Sequence, residues 1–351
     1  MQFRRLVVGG CAYGCGETAI SRSVAALHAE VPSQPVQELS AGPVVTEARV
    51  PPPFSGCRPA TASFVAYEED PAAPSIFTAL EASDAAGCAT RELVLAMAVN
   101  HSVFLEMHDG RLELSASSPD EQAFVAAAEN FGLELAHRDL ERGLIQLRDK
   151  RAPGGDTLHT IEVLHVFAYT SDRKRMSVVV RLPPALVSSC GGGAAERIYT
   201  KGADSVLLDM LAPGSNGSQS GELEQLDGLL HEWASIALRT LVWGKRELPN
   251  YAAWASEYMV VIESPSEALK RKVGEPNAID DLQAQLEANL TLQGATAIED
   301  KLQDGVPEVL RDLRRAGIKA SACPAPVTPR PRCCLSPSMK LARGGSHHIT
   351  A

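Results

Sequence analysis

Three strand-like segments separated by glycine and proline clusters constrain the fold of this chain more than any other feature. The segments are Ile161–Tyr169, Met176–Leu182 and Arg197–Lys201. Pro183-Pro184 and Gly191-Gly192-Gly193 lie between the second segment and the third. Because such residues mark turns and loops, the pattern favours an antiparallel meander over a β-α-β unit.

A well-marked helix is predicted upstream of these strands, from Ser118 to Phe131. Ser118 stands at the N-cap position, Pro119 at the first helical position and Glu121 three residues after the cap. This is the pattern of a capping box, in which two side chains bond backbone N–H groups at the helix start. Gly132 is suited to end the helix.

The spacing of apolar residues predicts further elements on both sides of the meander. We expect helices at residues 17–29, 91–107, 223–237, 250–261 and 278–289, and strands at residues 3–8, 111–116, 239–245 and 290–297.

Two stretches lack any sustained period. Residues 31–90 are rich in Pro, Ala and Ser around Pro51-Pro52-Pro53, and we expect a mobile insertion there. From Ser321 onward the chain is Pro, Arg, Cys and Ser without a pattern. We interpret residues 321–351 as a disordered tail, or as an aberrant one produced by a wrong reading frame or a retained intron.

Charge and apolar content narrow the class of protein. The formal net charge is −10 and the sequence pI is about 5.4, which argues against a nucleic-acid partner. The N-terminus is not a signal peptide, and the longest apolar run, Leu93 to Val99, is far shorter than the roughly 20 residues that span a bilayer. The eight cysteines show no zinc spacing. We expect a soluble cytoplasmic chain with reduced thiols that does not itself insert into a membrane.

Four segments, in this order and at these separations, resemble the nucleotide-binding domain of P-type ATPases. They are residues 117–121 (Ser-Ser-Pro-Asp-Glu), 169–178 (Tyr-Thr-Ser-Asp-Arg-Lys-Arg-Met-Ser-Val), 201–204 (Lys-Gly-Ala-Asp) and 238–241 (Leu-Arg-Thr-Leu). A fifth segment, residues 294–307, is similar to the phosphorylation domain of the fourth, phospholipid-translocating class, the flippases. The resemblance runs from Met1 to Lys319, with residues 31–90 poorly matched.

The resemblance implies an α+β fold with a mostly antiparallel sheet flanked by helices. It also implies an incomplete Rossmann-like (HAD-type) α/β piece, in which residues 3–8 meet residues 290–319. We therefore expect an incomplete phosphorylation domain at 1–16 and 290–320, and a nucleotide-binding domain at 17–289. The incomplete piece is expected to be the less stable of the two.

The resemblance also implies ATP as the ligand and assigns its adenine side to two residues. Tyr169 stands where the family usually has Phe, and its ring keeps the stacking face. The alternative is a core strand tyrosine. Glu121 resembles the family's contact to the adenine side, while the alternative is a purely structural capping-box residue. Both roles of Glu121 are compatible.

Three cations are assigned to the nucleotide by the same resemblance. Lys174 and Lys201 resemble the lysines that approach it, and Arg239 resembles the phosphate-side arginine. At strand spacing, Arg173 and Arg175 lie on the opposite face from Lys174. We therefore expect both arginines to be solvated surface residues. This chain also differs from the family's usual sequence at position 237, where it has Ala and the family usually has Gly.

The sequence does not contain three catalytic motifs of the family: Asp-Lys-Thr-Gly-Thr, Thr-Gly-Asp and Gly-Asp-Gly-x-Asn-Asp. The first carries the nucleophile and the last holds Mg²⁺, and phosphoryl transfer needs both. We therefore expect these 351 residues to bind ATP at most, as a truncated part of a flippase whose family activity is ATP-driven phospholipid translocation across a membrane.

Two alternatives remain open at this stage. The chain could be a non-catalytic nucleotide-binding or scaffolding protein that docks on a flippase complex as a partner. It could also be a remnant that does not fold. The lipid substrate, the organelle and any partner subunit cannot be inferred from the sequence, because the membrane helices that would contact the headgroup are not part of it.

Overall fold

The computed structural model of the chain divides into two units, Met1–Glu299 and Asp300–Ala351. The residues described are 1–18, 21, 61–108, 110–151, 156–212, 219–300, 305–322, 339–343 and 347–350. The helix expected at residues 17–29 and the first half of the expected insertion, residues 31–60, lie almost entirely outside this part of the chain.

Eleven strands are described in the first unit. They are β1 (Gln2–Val8), β2 (Cys11–Tyr13), β3 (Phe104–His108), β4 (Arg111–Ser115), β5 (Leu133–Asp139), β6 (Leu144–Asp149), β7 (Thr157–Phe167), β8 (Arg175–Arg181), β9 (Glu196–Gly202), β10 (Leu238–Glu247) and β11 (Thr291–Glu299).

The described helices of this unit lie between the strands. They are α1 (Ile76–Glu81), α2 (Ala85–Val99), α3 (Pro119–Asn130), α4 (Pro184–Ser189), α5 (Asp204–Leu207), α6 (Gln219–Ser235), α7 (Tyr251–Ile262), α8 (Pro265–Val273) and α9 (Ala278–Glu287).

Nine strands form one sheet in the order β2-β1-β11-β10-β9-β8-β7-β6-β5, and every pair in it is antiparallel. Strands β5 to β9 are neighbours in sequence order, so the predicted meander is confirmed and extends two strands further than expected. Strands β3 and β4 form a separate hairpin. The expected α+β fold with a large antiparallel sheet flanked by helices is confirmed.

The two chain segments expected to form a Rossmann-like piece do meet, but in a different arrangement. Strand β1 pairs with β11 antiparallel, from Gln2 opposite Glu299 to Val8 opposite Gly294. Both strands belong to the main sheet, because β11 pairs on its other side with β10. A parallel pair is therefore absent from the described part of this sheet. The wider division into nucleotide-binding and phosphorylation parts stays a prediction.

The sheet carries helices on both faces at β9 and β10. Along β10, Trp243 packs with α2 and α3, whereas the preceding Val242 packs with α6. Along β9, Tyr199 joins the first of these layers, and Ile198 packs with α7 and α9. Because successive strand residues point to opposite faces, this alternation places helices on both sides.

Helix α2 differs from the helix expected at residues 91–107. It begins at Ala85, because the Asp84 side chain accepts a hydrogen bond from the Gly87 N–H and caps the first turn. It ends at Val99, and the chain then forms β3. Since α1 and the start of α2 lie within residues 61–90, the expectation of a mobile insertion is wrong for that half of it.

The second unit contains α10 (Val306–Arg315) and three strands, β12 (Ile318–Ala322), β13 (Met339–Arg343) and β14 (His347–Thr350). The strands pair antiparallel in the order β12-β13-β14, with Leu341 opposite both Ala320 and Ile349. The expectation of a tail without regular structure is therefore wrong for the described parts of residues 321–351.

Candidate functional site

A buried ion pair between Glu121 and Lys201 lies where the first turn of α3 meets the end of β9. The Lys201 Nζ donates to Glu121 Oε1 at 2.7 Å and to the carbonyl oxygen of Asn100 at 2.7 Å. The other carboxylate oxygen accepts from the backbone N–H of Ser102 at 2.8 Å and from its hydroxyl at 2.5 Å. Both charged groups are thus fixed in position by at least two partners.

This arrangement replaces the expected capping box. The Ser118 side chain makes no cap hydrogen bond, although Ser118 does occupy the N-cap position. Glu121 instead bonds Lys201 and Ser102, because a buried ammonium is a stronger partner for a carboxylate than a backbone N–H group at the helix start. The capping pattern located the start of α3 correctly and gave Glu121 the wrong partner.

The electrostatics of the pair favour an ionised carboxylate. Burial by itself raises the pKa of Glu121, but the ammonium of Lys201 and the hydrogen bonds from Ser102 lower that pKa below its ordinary value. The Lys201 Nζ also lies 5.7 Å from the ring centroid of Phe124 and 6.0 Å from that of Trp243. Aromatic faces at these distances stabilise a cation in a site that excludes water.

A second ion pair lies next to the first and is more exposed. The Arg239 Nη1 donates to Asp120 Oδ2 at 2.9 Å and to Asp120 Oδ1 at 3.1 Å. The Arg239 side chain is 48% exposed, whereas that of Lys201 is 7% exposed. We call Asp120, Glu121, Lys201 and Arg239 the paired-charge cluster. It presents one buried cation and one cation that water can reach.

The end of α2 attaches the cluster to the sheet. The Asn100 amide donates to the carbonyl oxygens of Met176 on β8 and Tyr199 on β9, at 3.2 and 3.0 Å. The next residue, His101, accepts the Val103 N–H at Nδ1, 3.0 Å away, so its Nε2 carries the hydrogen and donates to the Ala98 carbonyl oxygen at 2.8 Å. Burial and the neighbouring charge of Arg138 lower the pKa of His101 to about 3. The imidazole is therefore neutral.

Tyr169 and Lys174 lie in the loop between β7 and β8. The predicted strand ending at Tyr169 stops at Phe167, because the Lys174 N–H donates to the Thr170 carbonyl oxygen at 2.8 Å and closes a turn. The Tyr169 ring is 61% exposed, which contradicts the alternative of a core tyrosine. Lys174 has a φ of 49°, in the left-handed region.

The Lys-Gly-Ala segment holds this loop beside the cluster. The Ala203 N–H donates to the Lys174 carbonyl oxygen at 3.1 Å. A Cβ on Gly202 would lie 2.7 Å from that same carbonyl oxygen and 2.8 Å from the Arg175 Cβ. Glycine is therefore required between Lys201 and Ala203, since any side chain would push the loop away.

Sequence reasoning assigned Arg173 and Arg175 to a solvated surface, and this is wrong. Both guanidinium groups pair with the fully buried carboxylate of Glu287 at the end of α9. The Ser177 hydroxyl also donates to Glu287, at 2.5 Å. Glu287 thus fixes both ends of the short segment that contains Lys174. It was missed because it is separated from Ser177 by 110 residues.

The structure therefore brings Glu121, Lys201 and Arg239 together through Asp120, and it holds the loop of Tyr169 and Lys174 beside them. Within the described ranges, no group of three or more His, Cys, Asp or Glu side chains could hold a metal ion. The two carboxylates of the paired-charge cluster, Asp120 and Glu121, are each paired with a cation. None of the described helices is long and apolar enough to span a membrane.

Comparison with known proteins gives consistent matches. Residues 89–305 match the family described as P-type ATPase, cytoplasmic domain N. The chain is similar to phospholipid-transporting ATPase IC of Mus musculus, with 34% identity over 65% of this chain and 16% of the relative. It is 37% identical to probable phospholipid-transporting ATPase 12 of Arabidopsis thaliana over 64% of this chain and 18% of that protein.

A fungal phospholipid-transporting ATPase is also similar to this chain. Phospholipid-transporting ATPase DNF1 of Saccharomyces cerevisiae is 33% identical over 64% of this chain and 14% of its own length. The chain thus covers between 14 and 18% of the length of the relatives described here.

Proposed function

Since this chain belongs to the P-type ATPases, through their cytoplasmic domain N, we propose that it binds ATP between the paired-charge cluster and the β7–β8 loop. The observation that carries the proposal is a fixed buried cation, Lys201, with the exposed aromatic ring of Tyr169 on the neighbouring loop. Binding of a nucleotide requires an aromatic face on which the base stacks and positioned hydrogen-bond donors beside it.

Each of the five residues has a distinct part in this proposal. The Tyr169 ring stacks on adenine, which is favourable because the ring is preorganised on a closed turn and faces solvent in the free protein. Lys201 is already neutralised by Glu121 and supplies a positioned hydrogen-bond donor rather than a net charge. Glu121 orients that ammonium and accepts a hydrogen bond at the base.

The phosphate groups of ATP contact the two more exposed cations, Arg239 and Lys174. Arg239 is half exposed and exchanges part of its contact with Asp120 for a phosphate oxygen. Lys174 adds a second mobile charge from the loop. A bound triphosphate supplies several negative charges, which these two side chains neutralise, and the buried pair excludes water beside them.

The relatives' names extend the proposal to the whole protein. They are phospholipid-transporting ATPases, so we infer that this chain is the ATP-binding part of such a protein at the cytoplasmic face of a membrane. Its partner is then the rest of a flippase chain or complex. A yeast DNF1 variant whose corresponding domain is replaced by residues 2–299 is expected to retain ATP-dependent lipid transport. Loss of transport by a chimera that folds and reaches the membrane would contradict this step.

The ATP site is tested by titrating the isotope-labelled chain with ATP and following ¹H–¹⁵N chemical shifts. Wild-type protein should show saturable shifts in the β7–β8 loop and at the start of α3. Tyr169→Ala should weaken binding about tenfold or more, because base–aromatic stacking contributes about 1–3 kcal/mol. The control is Leu140→Ala, which changes another exposed large apolar residue, in the β5–β6 turn. Equal affinities for all three proteins would refute the proposed adenine contact.

A further inference from the structure

A cavity of about 210 Å³ lies at the opposite end of β10 and β11 from Arg239 and Glu299, and it shares no residue with the paired-charge cluster. Its wall combines the β1–β2 turn, the start of β11, and side chains from α2 and α6. The aliphatic part comes from Val7, Val8, Leu226 and Leu292. The cavity differs from an ordinary packing defect because polar side chains, among them Gln293 and Glu222, also line it.

Gln293 is the central polar residue of the cavity. It is 6% exposed, and neither its Oε1 nor its Nε2 has a hydrogen-bond partner in the part of the chain that the structure describes. A buried amide without partners is energetically unfavourable, and such groups in folded proteins call for an explanation. A ligand that donates to Oε1 and accepts from Nε2 would remove this cost.

The backbone is shaped to turn Gln293 into the cavity. Opposite Trp243 and Gly244 of β10, the β11 partners are Gly294 and Leu292, so Gln293 is the extra residue of a β-bulge. Gly294 has a φ of 152°, and a Cβ there would lie 1.9 Å from the Val7 carbonyl oxygen. The bulge thus requires glycine at position 294. Bulges of this kind often change the direction of a side chain next to a binding site.

The charges around the amide leave one carboxylate unbalanced. Glu92 and Lys245 both line the cavity and pair with each other. Glu92 also pairs with Arg197, which lies 3.9 Å from Glu247 Oε1, so these two cations face two carboxylates. Glu222 on α6 also lines the cavity, and among the described residues it has no hydrogen bond or ion pair. A ligand that faces Glu222 is therefore favoured if it carries a positive charge.

We propose that this cavity binds a small alkylamine that also carries a hydroxyl or carbonyl oxygen. The ammonium pairs with Glu222 and donates to Gln293 Oε1, the oxygen accepts from Gln293 Nε2, and the short alkyl chain contacts the aliphatic wall. A cavity of about 150 Å³ accommodates benzene, so this one takes about eight non-hydrogen atoms or fewer. The site is independent of the proposed ATP site.

Three probes of similar length separate the requirements: 4-amino-1-butanol, the neutral 1,4-butanediol and the anion 4-hydroxybutyrate. The readout is the side-chain NH₂ signal of Gln293 in the ¹H–¹⁵N spectrum of the full chain, assigned by its loss in Gln293→Leu. The amino alcohol should give saturable shifts there and at the Gly294 amide. The diol and the anion should bind at least about tenfold more weakly.

Matched variants on one helix test the charge. Glu222→Gln should weaken amino-alcohol binding at least about tenfold, whereas Glu224→Gln, an exposed neighbour that does not line the cavity, should leave it unchanged. Gln293→Leu should abolish binding while the rest of the spectrum shows a folded chain. Equal shifts with the diol and the amine would identify a water-filled cavity without selectivity and overturn the proposal. So would the absence of saturable shifts, or undiminished binding by Glu222→Gln.

Discussion

At the scale of single residues, Lys201 is the side chain on which the candidate ATP site depends most. Its ammonium is held by Glu121 and the Asn100 carbonyl oxygen before any ligand arrives. The cost of orienting this cation is therefore met during folding rather than during binding. The same burial makes the residue essential to stability.

Lys201→Met should lower the free energy of unfolding by about 3–5 kcal/mol, because it leaves the Glu121 carboxylate buried without a cation. Urea denaturation of the two proteins measures the difference. The matched control is the double variant Lys201→Met/Glu121→Gln, in which the stranded charge is removed too. It should recover a large part of the loss, and a double variant no more stable than Lys201→Met would show that the charge is not the cause.

His101 predicts a dependence of stability on pH. It stays neutral in the folded protein down to about pH 3, whereas in the unfolded chain it takes up a proton near its ordinary value of 6.5. Its contribution is complete above pH 6.5 and is lost as the pH falls from there towards 3, by about 1.4 kcal/mol per pH unit. Between pH 6 and pH 5 the wild type should thus lose about 1 kcal/mol more stability than His101→Gln. Parallel pH profiles of the two proteins would argue against a buried neutral imidazole.

Ala237, two residues after the end of α6, adopts a φ of 61°, a conformation that favours glycine. A left-handed alanine costs about 1 kcal/mol, so Ala237→Gly should raise the free energy of unfolding by up to that amount. Ala234→Gly supplies the control inside α6, where glycine should destabilise by about 1 kcal/mol. The two substitutions should therefore shift the denaturation midpoint in opposite directions, and shifts of the same sign would disprove the assignment of strain to Ala237.

At the scale of elements, the β-bulge of β11 shows how one glycine sets a local geometry. Gly294→Ala places a methyl group 1.9 Å from the Val7 carbonyl oxygen, so the β1–β11 pair must separate. We expect a loss of more than about 3 kcal/mol in stability, or failure to fold. Gly228→Ala on α6, where a Cβ meets nothing within 4 Å, should instead stabilise by up to about 1 kcal/mol. Similar stabilities for the two variants would mean that the bulge is not required.

At the same scale, local turns could be predicted from the sequence, whereas contacts between distant elements could not. The meander was predictable because Pro183-Pro184 and the following glycines mark the turns locally. The partner of Arg175 was not, since Glu287 lies 112 residues away and its helix shows only an amphipathic pattern. For the same reason the sequence placed Lys174 and Lys201 by resemblance but gave no means of seeing that Lys201 is buried and paired.

At the scale of the whole molecule, the sheet order depends on pairs that no local pattern specifies. Strand β5 was missed because only its first half is buried, at Leu133 and Leu135, so its alternation is short. The antiparallel pairing of β1 with β11 could not be predicted from either segment, because both strands mix apolar with polar residues and either kind of sheet would accept them. Composition and motif spacing could therefore predict the fold class, whereas strand neighbours required the structure.

The pairing of Gln2 with Glu299 has a consequence for protein construction. Paired residues on adjacent antiparallel strands lie about 5 Å apart, so the first unit begins and ends at almost the same point. A unit of this kind can be spliced into a surface turn of an unrelated host without stretching it, because the host has only to bridge one strand spacing. Such an insert is joined to its host by two adjacent chain connections rather than one, which restricts its rotation relative to the host.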